Sequence, residues 1–245
     1  MSVALKSLLV ASLALVGASA QTISGQYTCE AAGAFTLCQN LWGEFAGVGS
    51  QSSTLVGSSG NAVSWYTNWT WANGPNSVKS YANVEHNTAK GVQLQNIKTA
   101  PTAWTWSYDT ISDGIRADVS YDIWLGKAQS GSPASTASNY EIMIWLSGKG
   151  GIQPVGSQIT TDTVVAGHTW NLWKGPNSNW EVLSFVSSAG DLTDFNVDLK
   201  EFFDYLVQEQ GVAATQYLQS IQTGTEPFTG SANLNIKSFS VEITS

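Results

Sequence analysis

Alternation at every second residue runs through most of this chain, and it limits the fold more than any other feature. In Trp65-Tyr66-Thr67-Asn68-Trp69-Thr70-Trp71 the odd positions carry three Trp, one aromatic face of a strand. From Ile115 to Ile123 the odd positions are Ile, Ala, Val, Tyr and Ile, with Arg116, Asp118, Ser120 and Asp122 between them. From Tyr140 to Leu146 the even positions are Tyr, Ile, Ile and Leu, opposed by Glu141, Met143 and Trp145. Side chains change face at each residue of a strand, so these strands have two chemically different sides. Further strands are expected at 26–31, 35–42, 77–85, 91–97, 103–109, 163–174, 180–187, 216–223 and 233–243. Asn73-Gly74-Pro75 and Gly175-Pro176-Asn177 read as turns. One segment has the helical period. Phe195, Leu199, Phe202, Phe203 and Leu206 predict an amphipathic helix over 196–209, ended by Gly211. Many strands and one helix predict an all-β jelly-roll sandwich of two antiparallel sheets. No linker or second aromatic module interrupts residues 21–245, which are expected to form a single domain.

The first 20 residues stand apart. Lys6 precedes an apolar run from Leu8 to Val16, and Ala18-Ser19-Ala20 has the small-residue pattern of a cleavage site. Residues 1–20 therefore read as a signal peptide, and the mature protein is expected to be secreted and extracellular. The run is shorter than the ~20 residues a spanning helix needs, so no membrane association is expected. Removing Lys6 takes the formal charge from -8 to -9, and only 11% of residues are charged. Such a chain is a poor partner for phosphate backbones or anionic lipid, which excludes nucleic acid. Cys29 and Cys38 would then meet an oxidising compartment. A two-residue turn at Gly33-Ala34 places them opposite each other on a hairpin, in reach of a disulfide. Together with the widely separated His86 and His168 they form no recognisable metal site, and no cofactor is expected. Asn68-Trp69-Thr70 is the only N-glycosylation sequon, with Asn68 on the strand face opposite the Trp residues.

Eleven Trp are too many for one core of this size. About half are expected inside, and the remainder can stack on a flat, uncharged ligand such as a sugar ring. Two carboxylates stand out by their neighbours. Glu141 shares a strand face with Met143 and Trp145, and an unpaired charge there must open onto a cleft. Glu226, in Gly224-Thr225-Glu226-Pro227-Phe228-Thr229-Gly230, is rigid and apolar on one side, which raises a carboxyl pKa as a general acid requires. Such a pair is the equipment for cutting a glycosidic bond, although most Glu residues of a secreted protein are only solvated surface charges. Asp122, two pleats from Asp118, can share a hydrogen bond with a nucleophile or serve as an edge-strand charge.

The segments QNLWGE (39–44), VKSYAN (78–83), ADVSYDIW (117–124), YEIMIWL (140–146), GTEPFTG (224–230) and DLKEFFDYL (198–206) together resemble glycoside hydrolase family 12. These are secreted β-1,4-glucan endohydrolases with a jelly-roll fold, and the matches span nearly all of the mature chain. The resemblance implies that Glu141 is the nucleophile and Glu226 the acid/base of a retaining reaction, their carboxyls about 5–5.5 Å apart. It implies that Asp122 hydrogen-bonds the nucleophile. Substrate-binding positions follow: Asn40 and the stacking platform Trp42 on the donor side, Tyr27 at its far end, and Met143, Trp145, Pro154 and Phe228 around the reaction centre. Asp118 joins this set, with a part in tuning Glu141. The cysteine pair common in the family is replaced here by Ser24 and Ser52, and Cys29 and Cys38 are additional. The implied function is retaining endo-hydrolysis of cellulose, mixed-linkage glucan and xyloglucan by a monomer, with a xyloglucan-specific enzyme as the alternative. YEIMIWL and the loop 148–151 resemble xyloglucan-active members, whereas QNLWGE and IQPVG resemble general endoglucanases. A lectin-like glucan binder would share the Trp faces without needing both glutamates, and a xylanase on a related sandwich would show signatures absent here.

Overall fold

The computed structural model describes residues 20–245, so the expected signal peptide lies outside the described residues except for Ala20. In chain order the strands are β1 (Gln21–Ile23), β2 (Cys29–Ala32), β3 (Phe35–Cys38), β4 (Val48–Ser59) and β5 (Ala62–Ala72). There follow β6 (Ala82–His86), β7 (Pro101–Ile111), β8 (Arg116–Gly126), β9 (Tyr140–Lys149) and β10 (Ser157–Val165). The order continues with β11 (His168–Asn177), β12 (Trp180–Ser187), β13 (Asp194–Asp198), α1 (Lys200–Glu209), β14 (Tyr217–Thr225) and β15 (Pro227–Val241).

The expected jelly roll is present. One layer runs β1-β4-β5-β15-β7-β13, and a wider layer runs β2-β3-β6-β14-β8-β9-β12-β11-β10. β15 joins them: Pro227 and Thr229 pair with β8, and later residues pair with β5 and β7. The pairings are antiparallel except for β9 with β12, which is parallel. A parallel pair needs a crossover, and here the β10–β11 hairpin supplies it.

Alternation sorts the side chains as the sequence implied. Six of the eleven Trp (Trp65, Trp69, Trp71, Trp104, Trp106 and Trp170) lie in the core between the layers. Trp104 meets Tyr121 edge-on at 5.0 Å, and Trp170 meets Phe202 of α1 at 5.4 Å, both favourable aromatic geometries. β8 is nearly all buried on both faces: Ala117, Val119, Tyr121, Ile123 and Leu125 enter the core, and Asp118, Ser120, Asp122 and Trp124 point the other way.

Several expected elements differ. Residues 194–198 are a strand on β7, and the helix starts only at Lys200. Asp198 Oδ1 accepts from the N–H groups of Ala100 at 2.7 Å and Lys200 at 2.9 Å, turning the chain between the two elements. The apolar residues Phe195 to Leu206 still share one core, so the period identified the face but not the element. The strand expected at 163–174 is a hairpin, turned by Ala166 (φ 51°) and Gly167 (φ 74°). Residues 91–97 form a 3-10 turn at Leu94–Asn96, because Leu94 N–H bonds to Gln216 O instead of joining a ladder. The strand expected at 77–85 begins only at Ala82. Gly175-Pro176-Asn177 lies within β11, and the turn falls at Ser178 (φ 54°). Pro176 is tolerated because β10 pairing stops at Lys174, leaving that side of β11 free.

Cys29 and Cys38 form the expected disulfide, as directly paired residues of the β2–β3 hairpin. Closing so short a loop contributes about 2–3 kcal/mol, enough to staple this edge of the wider layer.

Candidate active site

The face of the wider layer that points away from the core is the floor of a cleft of about 660 Å³. Strand register builds that floor in rows across the sheet. One row runs Cys29, Cys38, Asn83, Gly224, Ser120, Trp145. The next runs Thr36, Glu85, Gln222, Asp122, Met143, Ser184, and a third places Ser220, Trp124, Glu141 and Val182 side by side. Gly224 has to be glycine, since a Cβ there would lie 2.0 Å from Ala82 O. Tyr27 and Trp42 rise above the floor, 64% and 51% exposed, and present their rings to solvent.

Glu141 and Glu226 both line this cleft, half-buried, as does Asp122. Glu141 projects from β9 and accepts a 2.6 Å hydrogen bond from the Trp180 indole. Glu226 sits between β14 and β15, where the chain passes from one layer to the other. Asp118 fastens it there: its Oδ1 accepts from Glu226 N–H at 2.7 Å, and Asp118 N–H donates to Glu226 O at 3.3 Å. Burial raises the pKa of Glu141, while hydrogen bonds from Trp180 and Asn177 oppose that rise and favour the anion. Glu226 is pushed well above the usual carboxylate range, first by burial and then by the charges of Asp118, Glu141 and Asp122. Its hydrogen bond with Asp118 also favours the protonated form. The same contact favours the anion of Asp118, whose pKa burial nevertheless lifts to about 7. Asp122 is raised well above the usual range by burial and by Glu141. Hydrogen bonding thus favours the anion at Glu141 and the protonated form at Glu226.

Among the expected substrate-binding residues, Tyr27, Asn40, Trp42, Met143, Trp145, Pro154 and Phe228 all line the cleft. Asn40 adopts φ 46°, a left-handed conformation that Asn tolerates, and its carbonyl accepts from Tyr81 N–H at 3.0 Å. Asp118 does not line it. It is fully buried behind Glu226, so it contacts that residue and not a ligand, and its partner is Glu226 instead of Glu141. Asn68 is half-buried on β5 in the other layer, paired with Ser52 and Asn233, and faces away from the core.

Sequence reasoning missed Trp180, Asn177, Trp124, Asn83, Glu85 and Gln222, which also line the cleft. Period-2 counting back from Glu226 to Gln222 and forward from Asp122 to Trp124 could have found two of them. Lys79 was missed as a buried clamp: its ammonium donates to the carbonyls of Gly74 (2.8 Å), Ser77 (2.7 Å) and Phe228 (2.9 Å). It ties the loop 74–77 to the segment carrying Glu226, and Gly43 N–H, next to Trp42, bonds back to Lys79 O at 3.1 Å.

Residues 33–244 match the model of glycosyl hydrolase family 12. The chain belongs to that family. It is 45% identical over 223 residues to the xyloglucan-specific endo-beta-1,4-glucanase A of Aspergillus aculeatus, covering 89% of this chain and 90% of that protein. Among solved structures it resembles Trichoderma harzianum endoglucanase 3 (TM-score 0.85, 38% identity, 93% and 99% of the two chains). It also resembles the catalytic domain of Humicola grisea Cel12A in complex with a soaked thio-cellotetraose (TM-score 0.84, 34% identity, 91% and 99%).

The acid cluster of this family 12 glycoside hydrolase has a consequence for stability. A carboxyl whose folded-state pKa lies above its unfolded value of about 4 takes up a proton on folding. The stability it contributes is complete below that unfolded value and is lost as pH rises through the folded one, about 7 for Asp118. Asp122, Glu141 and Glu226 are raised too and act in the same direction. His86 works oppositely, because burial lowers its pKa and its Nδ1 accepts from the N–H groups of Thr88 and Ala89. Four carboxyls outweigh one imidazole. Thermal unfolding followed by Trp fluorescence should therefore give a Tm that falls between pH 5 and pH 8. Glu226→Gln should raise Tm at pH 7 by on the order of 3–6 °C and flatten the slope. A Tm that climbs over this range would contradict the proton-loaded cluster.

Proposed function

We propose that this family 12 enzyme hydrolyses internal β-1,4-glucosidic bonds of soluble or amorphous β-glucans with retention of configuration. The observation that carries the reading is the pair Glu141 and Glu226 in one aromatic-lined cleft, with hydrogen bonds that favour the anion of the first and the protonated form of the second. A glucan chain lies across the strands, its rings stacked on Trp42 and Tyr27, with Asn40 hydrogen-bonding its hydroxyls. Glu141 attacks C1 of the donor sugar while Glu226 gives its proton to the departing O4, leaving a glycosyl-enzyme. Glu226, now a carboxylate, takes a proton from water as that water attacks C1 and frees Glu141. Asp122, one pleat from Glu141 on the neighbouring strand and with its Oδ1 unbonded in the free protein, is the proposed hydrogen-bond partner of the nucleophile once substrate is bound, and Asp118 holds Glu226. The full set proposed around the substrate is Tyr27, Asn40, Trp42, Met143, Trp145, Pro154 and Phe228.

A monomeric single domain of residues 21–245, secreted after removal of residues 1–20, suits a polymer substrate that cannot enter a cell. Asn68 is the candidate glycan acceptor, away from the cleft. The name of the Aspergillus aculeatus relative favours a second reading, a xyloglucan-specific enzyme, and the thio-cellotetraose bound by the Humicola grisea protein favours the general one. Parallel assays on xyloglucan, barley mixed-linkage glucan and carboxymethylcellulose decide between them. Viscosity should fall faster than reducing ends appear on at least one. Turnover confined to xyloglucan selects the specific enzyme, and binding without cleavage of any of the three would select the lectin-like alternative.

A further inference from the structure

We infer that the Cys29–Cys38 disulfide is a chain-length selector: it floors the distal end of the cleft and holds Tyr27 over that floor, without acting on the chemistry. The inference builds on the glucanase reading and deepens it. Both cysteines line the cleft, Cys29 exposed and Cys38 half-buried. They end the floor row that passes through Asn83, Gly224 and Ser120 to Trp145. Asn83, Gly224 and Ser120 are buried, so the row runs beneath the cleft and comes to its surface at two uncharged sulfur atoms.

Distance fixes what the bridge can do. Cys38 on β3 is four strands from β9, and Cys29 on β2 is five. At about 4.8 Å per strand these are roughly 19 and 24 Å along the sheet from Glu141. No interaction there reaches the reacting atoms, but a glucan of several rings does reach the bridge. The outer strand of the hairpin is also weakly held. β2 has four residues and pairs only with β3, and β3 has four residues and continues to β6. Tyr27 lies two residues before Cys29 in a turn closed by Thr28 N–H to Gly25 O at 3.1 Å. The other anchors of this turn, Gln39 N–H to Thr28 O and Leu41 N–H to Gln26 O, come from the segment just after Cys38. Both sides of the platform therefore meet at the bridge, and fixing it in advance lowers the ordering cost of binding a long chain.

The test compares the full-length secreted enzyme with Cys29→Ser/Cys38→Ser on two substrates. A nitrophenyl β-cellobioside occupies only the centre of the cleft, and cellohexaose spans it. The inference predicts unchanged kcat and KM on the short substrate, a rise in KM of about tenfold on cellohexaose with kcat held, and a changed product pattern. Reducing the bridge of the parent enzyme with dithiothreitol should reproduce the same length-dependent loss, and reoxidation should reverse it, even if the double variant folds poorly. Equal losses on both substrates, or no loss on cellohexaose once the bridge is broken, would overturn it. A wild-type enzyme inactive on both substrates and on xyloglucan would overturn the glucanase reading itself, a distinct outcome; one active on xyloglucan alone is tested with short and long xyloglucan oligosaccharides in their place.

Discussion

Glu141→Gln should lower kcat on a soluble β-1,4-glucan by about four orders of magnitude while leaving the dissociation constant for the same glucan within a few-fold. The amide keeps the size of the side chain and can still accept from the Trp180 indole, which lies 2.6 Å from the native carboxylate. It cannot supply the anion that attacks C1. Aromatic stacking at Tyr27 and Trp42 and the floor rows are unaffected, so binding survives. Isothermal titration with an uncleaved oligosaccharide checks affinity, and single-turnover assays check chemistry. Turnover within tenfold of the parent enzyme would remove Glu141 from the role of nucleophile.

Glu226→Ala separates the two half-reactions. On polymer the loss should be on the order of 10³-fold, because the departing O4 is a poor leaving group without a proton. An aryl β-cellobioside with an acidic phenol needs no such help, so the glycosyl-enzyme should still form and then accumulate. Azide needs no general base, and adding it should restore turnover and give a β-glycosyl azide, the signature of retention. The pH profile should change as well. In the parent enzyme activity should fall at low pH as Glu141 is protonated, and at high pH as Glu226, whose pKa is raised by burial and by three neighbouring acids, loses its proton. The two values belong to the coupled cluster and not to isolated residues. In the alanine variant, glycosylation by the activated substrate should lose the high-pH limb. A bell-shaped profile that persists for that step would place the proton donor elsewhere.

Much of this arrangement was legible in the sequence because strand alternation is a one-residue code. Odd positions of 115–123 and even positions of 140–146 enter the core, and the complementary positions carry Asp118, Asp122, Glu141, Met143 and Trp145. The code fails where backbone geometry departs from regular pairing. β4 was invisible because it is rich in Ser and Gly and its register shifts between Leu55 and Gly57. The turn at Ala166-Gly167 divided one expected strand, and the strand β13 supplied the first residue of an apparent helical stripe. Relations between distant segments were equally out of reach. Nothing local tells Asp118 that its partner is Glu226, 108 positions away, or tells Lys79 that it will clamp Phe228 O. Those contacts exist only once β15 crosses between the layers.

β8 leaves the enzyme no silent side along which to vary. Through Trp124 it sets the register of one glutamate, through Asp118 it tethers the other, and its alternate residues fill the core behind both. Apart from Arg116 at its start, a change at any of its positions is felt either by the acids or by the packing that aligns them. Freedom to diversify is therefore displaced to the rims, to Tyr27, Trp42 and Val155, where the grip on a new polymer can be reshaped while the spacing of the cutting groups stays as it is.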